Sequence, residues 1–116
     1  MLSPDLQRIE HIRDYCLQVG KTILRYGDSF DIFKTDMDFQ QSVAFSVLQI
    51  GELCNGLSEE YRKLTQEDVE WNAIRGLRNI VAHAYGSIKL DILWDTIATD
   101  IPVLKEFCET QLSENE

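Results

Sequence analysis

Four side chains of complementary chemistry fall within eight positions of this chain: Arg78, Asn79, His83 and Tyr85. They combine a permanent cation, an amide, a group that titrates near neutrality and a phenol. A guanidinium that gathers phosphoryl charge beside an imidazole that moves a proton is a kit for working on a phosphodiester. The surrounding run, WNAIRGLRNIVAHAYGSIKLDILW from Trp71 to Trp94, is the only dense cluster of such groups, so the rest of the chain reads as its scaffold.

Placed on a helix at about 100° per residue, the run divides into two faces. Ile74, Leu77, Ile80, Val81 and Ala84, with Ala73, share one side, while Asn72, Arg75, Arg78, Asn79 and His83 occupy the other half. Such a helix packs its apolar stripe inward and presents the polar set, with Arg75 and Asn72 as candidate substrate contacts. Arg78 and His83 are not stacked neighbours, because five residues separate their Cα directions by about 140° and their levels by roughly 7.5 Å. Asn79 and His83, at i and i+4, do adjoin, and a long arginine can swing toward them. One chain supplies a loose constellation, which a second copy across a two-fold cleft would tighten.

The elements that must position this run are helical. Ser3 caps a first helix with Pro4 at its first position, and Gly27 ends it after Tyr26. Leu6, Ile9, Ile12, Cys16, Val19 and Ile23 make its stripe, and His11 faces away. Asp28 to Thr35 is a connection or short turn that tucks Phe30 and Phe33 under the bundle. A second long helix runs from about Asp36 to Leu57 on a stripe of Phe39, Val43, Val47, Ile50, Cys54 and Leu57. Phe45 and Leu48 point about 150° away from that stripe, with Glu52 on their side. Two large apolar residues there fit either central burial or a homodimer contact, and the split Arg/His geometry favours the dimer. Ser58 caps a short segment to Leu64, and Thr65 to Asp68 form a second cap leading into a motif helix that stops at Gly86. The last helix spans about Lys89 to Gln111, kinked at Pro102. The expected fold is all-α, an antiparallel up-and-down bundle of four main helices plus short segments, forming one domain over residues 1–116.

Composition narrows the chemistry further. A formal charge of −9 argues against a broad grip on nucleic acid and leaves only a local patch of Arg62, Lys63, Arg75 and Arg78 for phosphates. No apolar run approaches the ~18 residues of a membrane span, and the charged N-terminus lacks the apolar core of a secretory signal, so a cytoplasmic protein without membrane contact is expected. Cys16, Cys54 and Cys108 are odd in number, widely spaced and on apolar faces, as reduced core residues are. Asp36 and Asp38 read as capping residues, and no metal site or cofactor is expected.

Arg78-Asn79, three further residues, His83, one residue and Tyr85 resemble the Arg-x4-His-x-Tyr motif of the HEPN ribonucleases, specifically the HepT-like toxins. Trp71, Ile74, Gly76, the Leu90-Asp91-Ile92-x-Trp94 segment, Pro102 and the upstream Ile50-Gly51-Glu52 triplet also sit where that family has such residues. Glu70 stands where a proline is often found. The resemblance implies a HEPN bundle and a type VII toxin that cleaves RNA, such as tRNA or mRNA, without a metal. Neutral His83 would take the ribose 2′-hydroxyl proton, Arg78 would stabilise the phosphoryl charge, and Asn79 would orient the phosphate or the imidazole. It also implies that a cognate nucleotidyltransferase antitoxin attaches AMP to Tyr85, placing a bulky anion at the rim of the cleft. The residues alone, without the resemblance, better fit a non-catalytic helical module that partners a nucleotidyltransferase or holds a nucleotide.

Overall fold

The computed structural model describes residues 2–84 and 90–115; within helix 77–84 the side chains of Ile80, Ala82, His83 and Ala84 are outside that description. Among the described residues the chain is all-helical.

Helix α1, Pro4–Tyr26, opens on the Ser3 cap, whose hydroxyl accepts the Leu6 N–H at 3.2 Å. It ends at Gly27, where φ of 121° favours glycine; a Cβ there would also lie 2.7 Å from Ile32 Cδ1. A single turn, α2 (Phe30–Phe33), leads into α3 (Met37–Asn55), capped by the Asp36 carboxylate on Phe39 N–H. Phe39, Val43, Val47, Ile50 and Cys54 of α3 are fully buried, as their spacing predicts. Helix α1 lies along α3 and takes α8 (Ile101–Glu114) against its other side, burying Ile9, Ile12, Cys16 and Val19 opposite Leu104 and Cys108.

Aromatic rings lock the end of the bundle where α1 and α2 meet α3. Tyr26 stacks on Phe39 at 4.9 Å, and Phe33 meets Phe39 edge-on at 5.0 Å and Trp94 at 5.1 Å. Trp94 belongs to α7, Leu90–Asp95, so this cluster ties the segment after the motif back to the core.

Three expectations are corrected. The run from Trp71 is two helices, α5 (Trp71–Arg75) and α6 (Leu77–Ala84), because the poor helix former Gly76 closes α5 and then accepts the Asn79 N–H three residues on in a tightened turn. The register assumed across the run shifts accordingly, and Ala73 is exposed rather than part of the apolar stripe. Thr65 does not cap the motif helix. It ends α4 (Glu59–Leu64), and its hydroxyl accepts the buried Trp71 indole N–H at 2.9 Å. The last helix is continuous but irregular: between α7 and α8 the chain runs as a π-helical turn, Thr96–Asp100, in which Ile101 N–H reaches back five residues to Thr96. Pro102 has no N–H for the carbonyl four residues earlier and its ring crowds that carbonyl, so widening the preceding turn relieves both defects.

All three cysteines are buried and free. Burial pushes the thiols of Cys16 and Cys54 up to about 12 and that of Cys108 higher still, which makes them apolar filling rather than nucleophiles. No helix among the described residues is long and apolar enough to cross a membrane.

Candidate active site

Helix α5 is fixed by its first residue. Trp71 is 5% exposed, packs edge-on against Phe107 of α8 at 5.7 Å and donates to Thr65. Ile74 and Leu77 continue the buried side across the Gly76 break, and Val81 carries it along α6. With that side committed to α3, Asn72, Arg78 and Asn79 are left exposed and Arg75 half-exposed.

Helix α3 receives the two arginines. Arg78 crosses α3 at Gly51, where a Cβ would stand 2.9 Å from Arg78 Cγ, so the glycine is what lets the side chain lie flat. Its Nε then meets Glu52 Oε1 at 2.7 Å, both side chains being 48% exposed. One helical turn further along α3, Asn55 Oδ1 accepts the Nε–H of Arg75 at 3.0 Å. Two arginines three residues apart are thus held by two acceptors three residues apart, in opposite order, as two helices running in opposite directions require. A pair this exposed contributes about 0–1 kcal/mol to stability, so its main consequence is to fix where a long side chain points.

Glu52, expected beside a composite cleft or as a solvated carboxylate on the side of Phe45 and Leu48, is half-exposed and paired with Arg78 of its own chain. The four-cation patch also needs revision. Arg62 Nη1 donates to the Leu57 carbonyl at 2.6 Å, with those of Cys54 and Asn55 at 3.4 Å, and so closes the C-terminus of α3. Lys63 reaches Glu59 at 3.5 Å. Of the four, Arg62 and Arg75 have no carboxylate partner among the described residues, and Arg62 is committed to backbone carbonyls. Asn72 and Arg75 line a surface groove of about 570 Å³ between α4 and α5, in which Glu59, Glu67 and Glu70 offset Arg62 and Lys63.

His83 lies in the backbone of α6, one turn beyond Asn79, but its side chain is outside the described residues, and so is the whole of Tyr85 together with the expected stop at Gly86. On the α3 face singled out for dimerisation, Phe45 is 57% exposed with its ring edge-on to Tyr15 at 6.3 Å, and Leu48 is half-buried against the core. Among the described residues no three His, Cys, Asp or Glu side chains gather as a metal site would require.

Sequence reasoning missed Asn55 and the pairing of Glu52 with Arg78. The shared three-residue spacing of 52/55 and 75/78, with a glycine beside the first acceptor, is compatible with the pairing but does not single it out.

A profile described as Ribonuclease HepT-like matches residues 6–111. The chain is 31% identical over 98 residues to "Putative RNase TTE0752" of Caldanaerobacter subterraneus subsp. tengcongensis, an alignment covering 84% of this chain and 85% of that protein. It is 30% identical over 76 residues to "Probable ribonuclease HepT" of Thermococcus cleftensis, covering 66% and 68%. A third relative, "Putative RNase MJ0127" of Methanocaldococcus jannaschii, is 33% identical over 75 residues, covering 64% and 60%. No solved structure matches the chain.

Proposed function

Because this chain belongs to the HepT-like ribonuclease family, we propose that it is a metal-independent endoribonuclease acting as the toxin of a type VII toxin–antitoxin pair, its one HepT-like domain covering residues 1–116. The observation that carries the reading is the disposition of Arg78: half-exposed on the first turn of the helix that also bears His83, and held through Nε. Its two Nη atoms carry four further N–H donors, of the kind that bind a phosphate.

In the proposed reaction neutral His83 takes the proton from a ribose 2′-hydroxyl and the freed oxygen attacks the adjacent phosphorus. Arg78 binds the phosphoryl oxygens as charge builds on them, and Asn79 orients the phosphate or the imidazole. The bond from phosphorus to the 5′-oxygen breaks, that oxygen takes up a proton, and the products are a 2′,3′-cyclic phosphate and a 5′-hydroxyl. Arg75 and Asn72 hold neighbouring nucleotides. Two copies, meeting through the face of Phe45, Leu48 and Glu52, bring two such sets to one cleft. A nucleotidyltransferase antitoxin silences the enzyme by attaching AMP to Tyr85, whose added anion repels RNA phosphates.

The test is growth of cells expressing the intact chain, His83→Ala or Arg78→Ala, followed by RNA cleavage with purified, unmodified protein in the presence of a chelator. Toxicity and cleavage lost in both variants while the helical fold survives support the reading. An inert wild-type chain that binds AMP or a nucleotidyltransferase favours a non-catalytic module instead.

A further inference from the structure

The two arginine contacts on α3 use the same atom and differ in charge. Both arginines turn Nε toward α3: Arg78 Nε lies 2.7 Å from Glu52 Oε1 in an ion pair, and Arg75 donates its Nε–H to Asn55 Oδ1 at 3.0 Å. Nε is the one guanidinium nitrogen with a single hydrogen and lies next to the aliphatic stem. Binding it fixes the plane of the head group while leaving the forked Nη edge, the part that matches two phosphate oxygens, for a ligand. Gly51 completes the seat for Arg78, since any side chain there would meet its Cγ.

From this geometry we infer that Gly51, Glu52 and Asn55 of α3 form a two-place positioning device. It presents Arg78 and Arg75 edge-outward to successive parts of an RNA backbone, and divides their work by charge. Glu52 neutralises Arg78, so that arginine adds little to the long-range attraction of RNA and acts mainly through directed hydrogen bonds to a phosphate already in place. Asn55 is neutral and leaves Arg75 a full positive charge, so Arg75 supplies attraction. The inference rests on the ribonuclease reading for its substrate, and on the two contacts alone for the positioning.

Glu52→Ala and Glu52→Gln separate the roles, because glutamine keeps an oxygen to accept the Arg78 Nε–H and alanine does not. Wild type and both variants are compared for steady-state RNA cleavage and for the hydrogen-exchange rate of the Arg78 Nε–H by nitrogen-15 NMR. The expected result is a slowly exchanging Nε–H in wild type and Glu52→Gln, with fast exchange in Glu52→Ala. Alongside it kcat falls about 10–100-fold in Glu52→Ala, KM stays within about twofold, and Glu52→Gln recovers most of the rate. Added guanidinium ion should revive Arg78→Ala but not Arg78→Ala/Glu52→Ala. Fast exchange of the Arg78 Nε–H in wild type overturns the seat, and an unchanged kcat in Glu52→Ala overturns its role. Wild-type protein that cuts no RNA overturns the ribonuclease reading, while the NMR comparison still decides whether the seat exists.

Discussion

Arg78 with Glu52 and Arg75 with Asn55 both bring Nε to α3, one turn apart, but the first is an ion pair with a carboxylate and the second a hydrogen bond to a neutral amide. In an acidic chain of net charge −9 that difference matters more than it would on a basic surface. A nuclease of this composition cannot draw RNA in through a broad positive field, so attraction must come from few residues. The contrast teaches that a long cation can be used as a charge or as a shaped donor, and that its partner on the next helix decides which.

The comparison breaks first at Arg78. Arg78→Ala should lower kcat on the order of 10²–10³-fold, as removing one transition-state donor does, with KM little changed; a loss confined to KM would make both arginines simple phosphate contacts. Arg75→Ala should do the reverse, raising KM and reducing the slope of log affinity against log salt by about 0.7, while kcat persists. An equal salt dependence for both variants would erase the proposed division. Gly51→Ala displaces the Arg78 stem and should cost about tenfold in kcat. Thermal stability in that variant should stay within about 1 kcal/mol of wild type, because better helix propensity offsets the clash. A final variant tests the anchor beneath both contacts. Trp71→Phe loses the bond to Thr65 and part of the buried indole volume, which should destabilise by about 1–3 kcal/mol in urea unfolding.

An alkaline titration addresses the opposite, buried side of α3. The folded-state pKa of Cys54 is raised by burial from 9.0 to about 12, and that of Cys16 likewise. Neutral thiols therefore stabilise the fold fully below about pH 9, and this contribution is lost as pH rises toward about 12. Urea midpoints should fall over that window and should fall less in a chain with all three cysteines replaced by alanine, where half-buried Tyr61, whose phenol pKa is also raised by burial, still contributes to the loss.

The elements written in local spacing were legible before any coordinates. The Ser3-Pro4 opening, the Gly27 stop, the Asp36 and Ser58 caps and the buried stripe from Phe39 to Cys54 all depend on residues within a turn or two of each other. The reset at Gly76 was less legible, because glycine within a helical pattern is usually tolerated and nothing local says that the Asn79 N–H will reach back three residues. The pairings of Glu52 with Arg78 and Asn55 with Arg75 were not legible, since they join positions 20 or more residues apart and depend on how far α3 slides along α5 and α6. For the same reason Arg62, a candidate phosphate contact by charge, turns out to close the end of α3. Charge can be read from a string of letters, whereas the neighbour that consumes it cannot.

The π turn at Thr96–Asp100 behaves as one residue inserted into an otherwise continuous helix. Deleting a single residue from it would restore regular α spacing and bring the Pro102 ring back against the carbonyl four residues earlier. It would also rotate everything downstream by about 100°, carrying Leu104, Cys108 and Leu112 off the surface of α1 and replacing them with polar neighbours. The irregular turn is therefore the phase adjuster between two halves of the molecule: the half that clasps Trp94 and the half that shelters Trp71 can both face inward only because the helix between them miscounts by one.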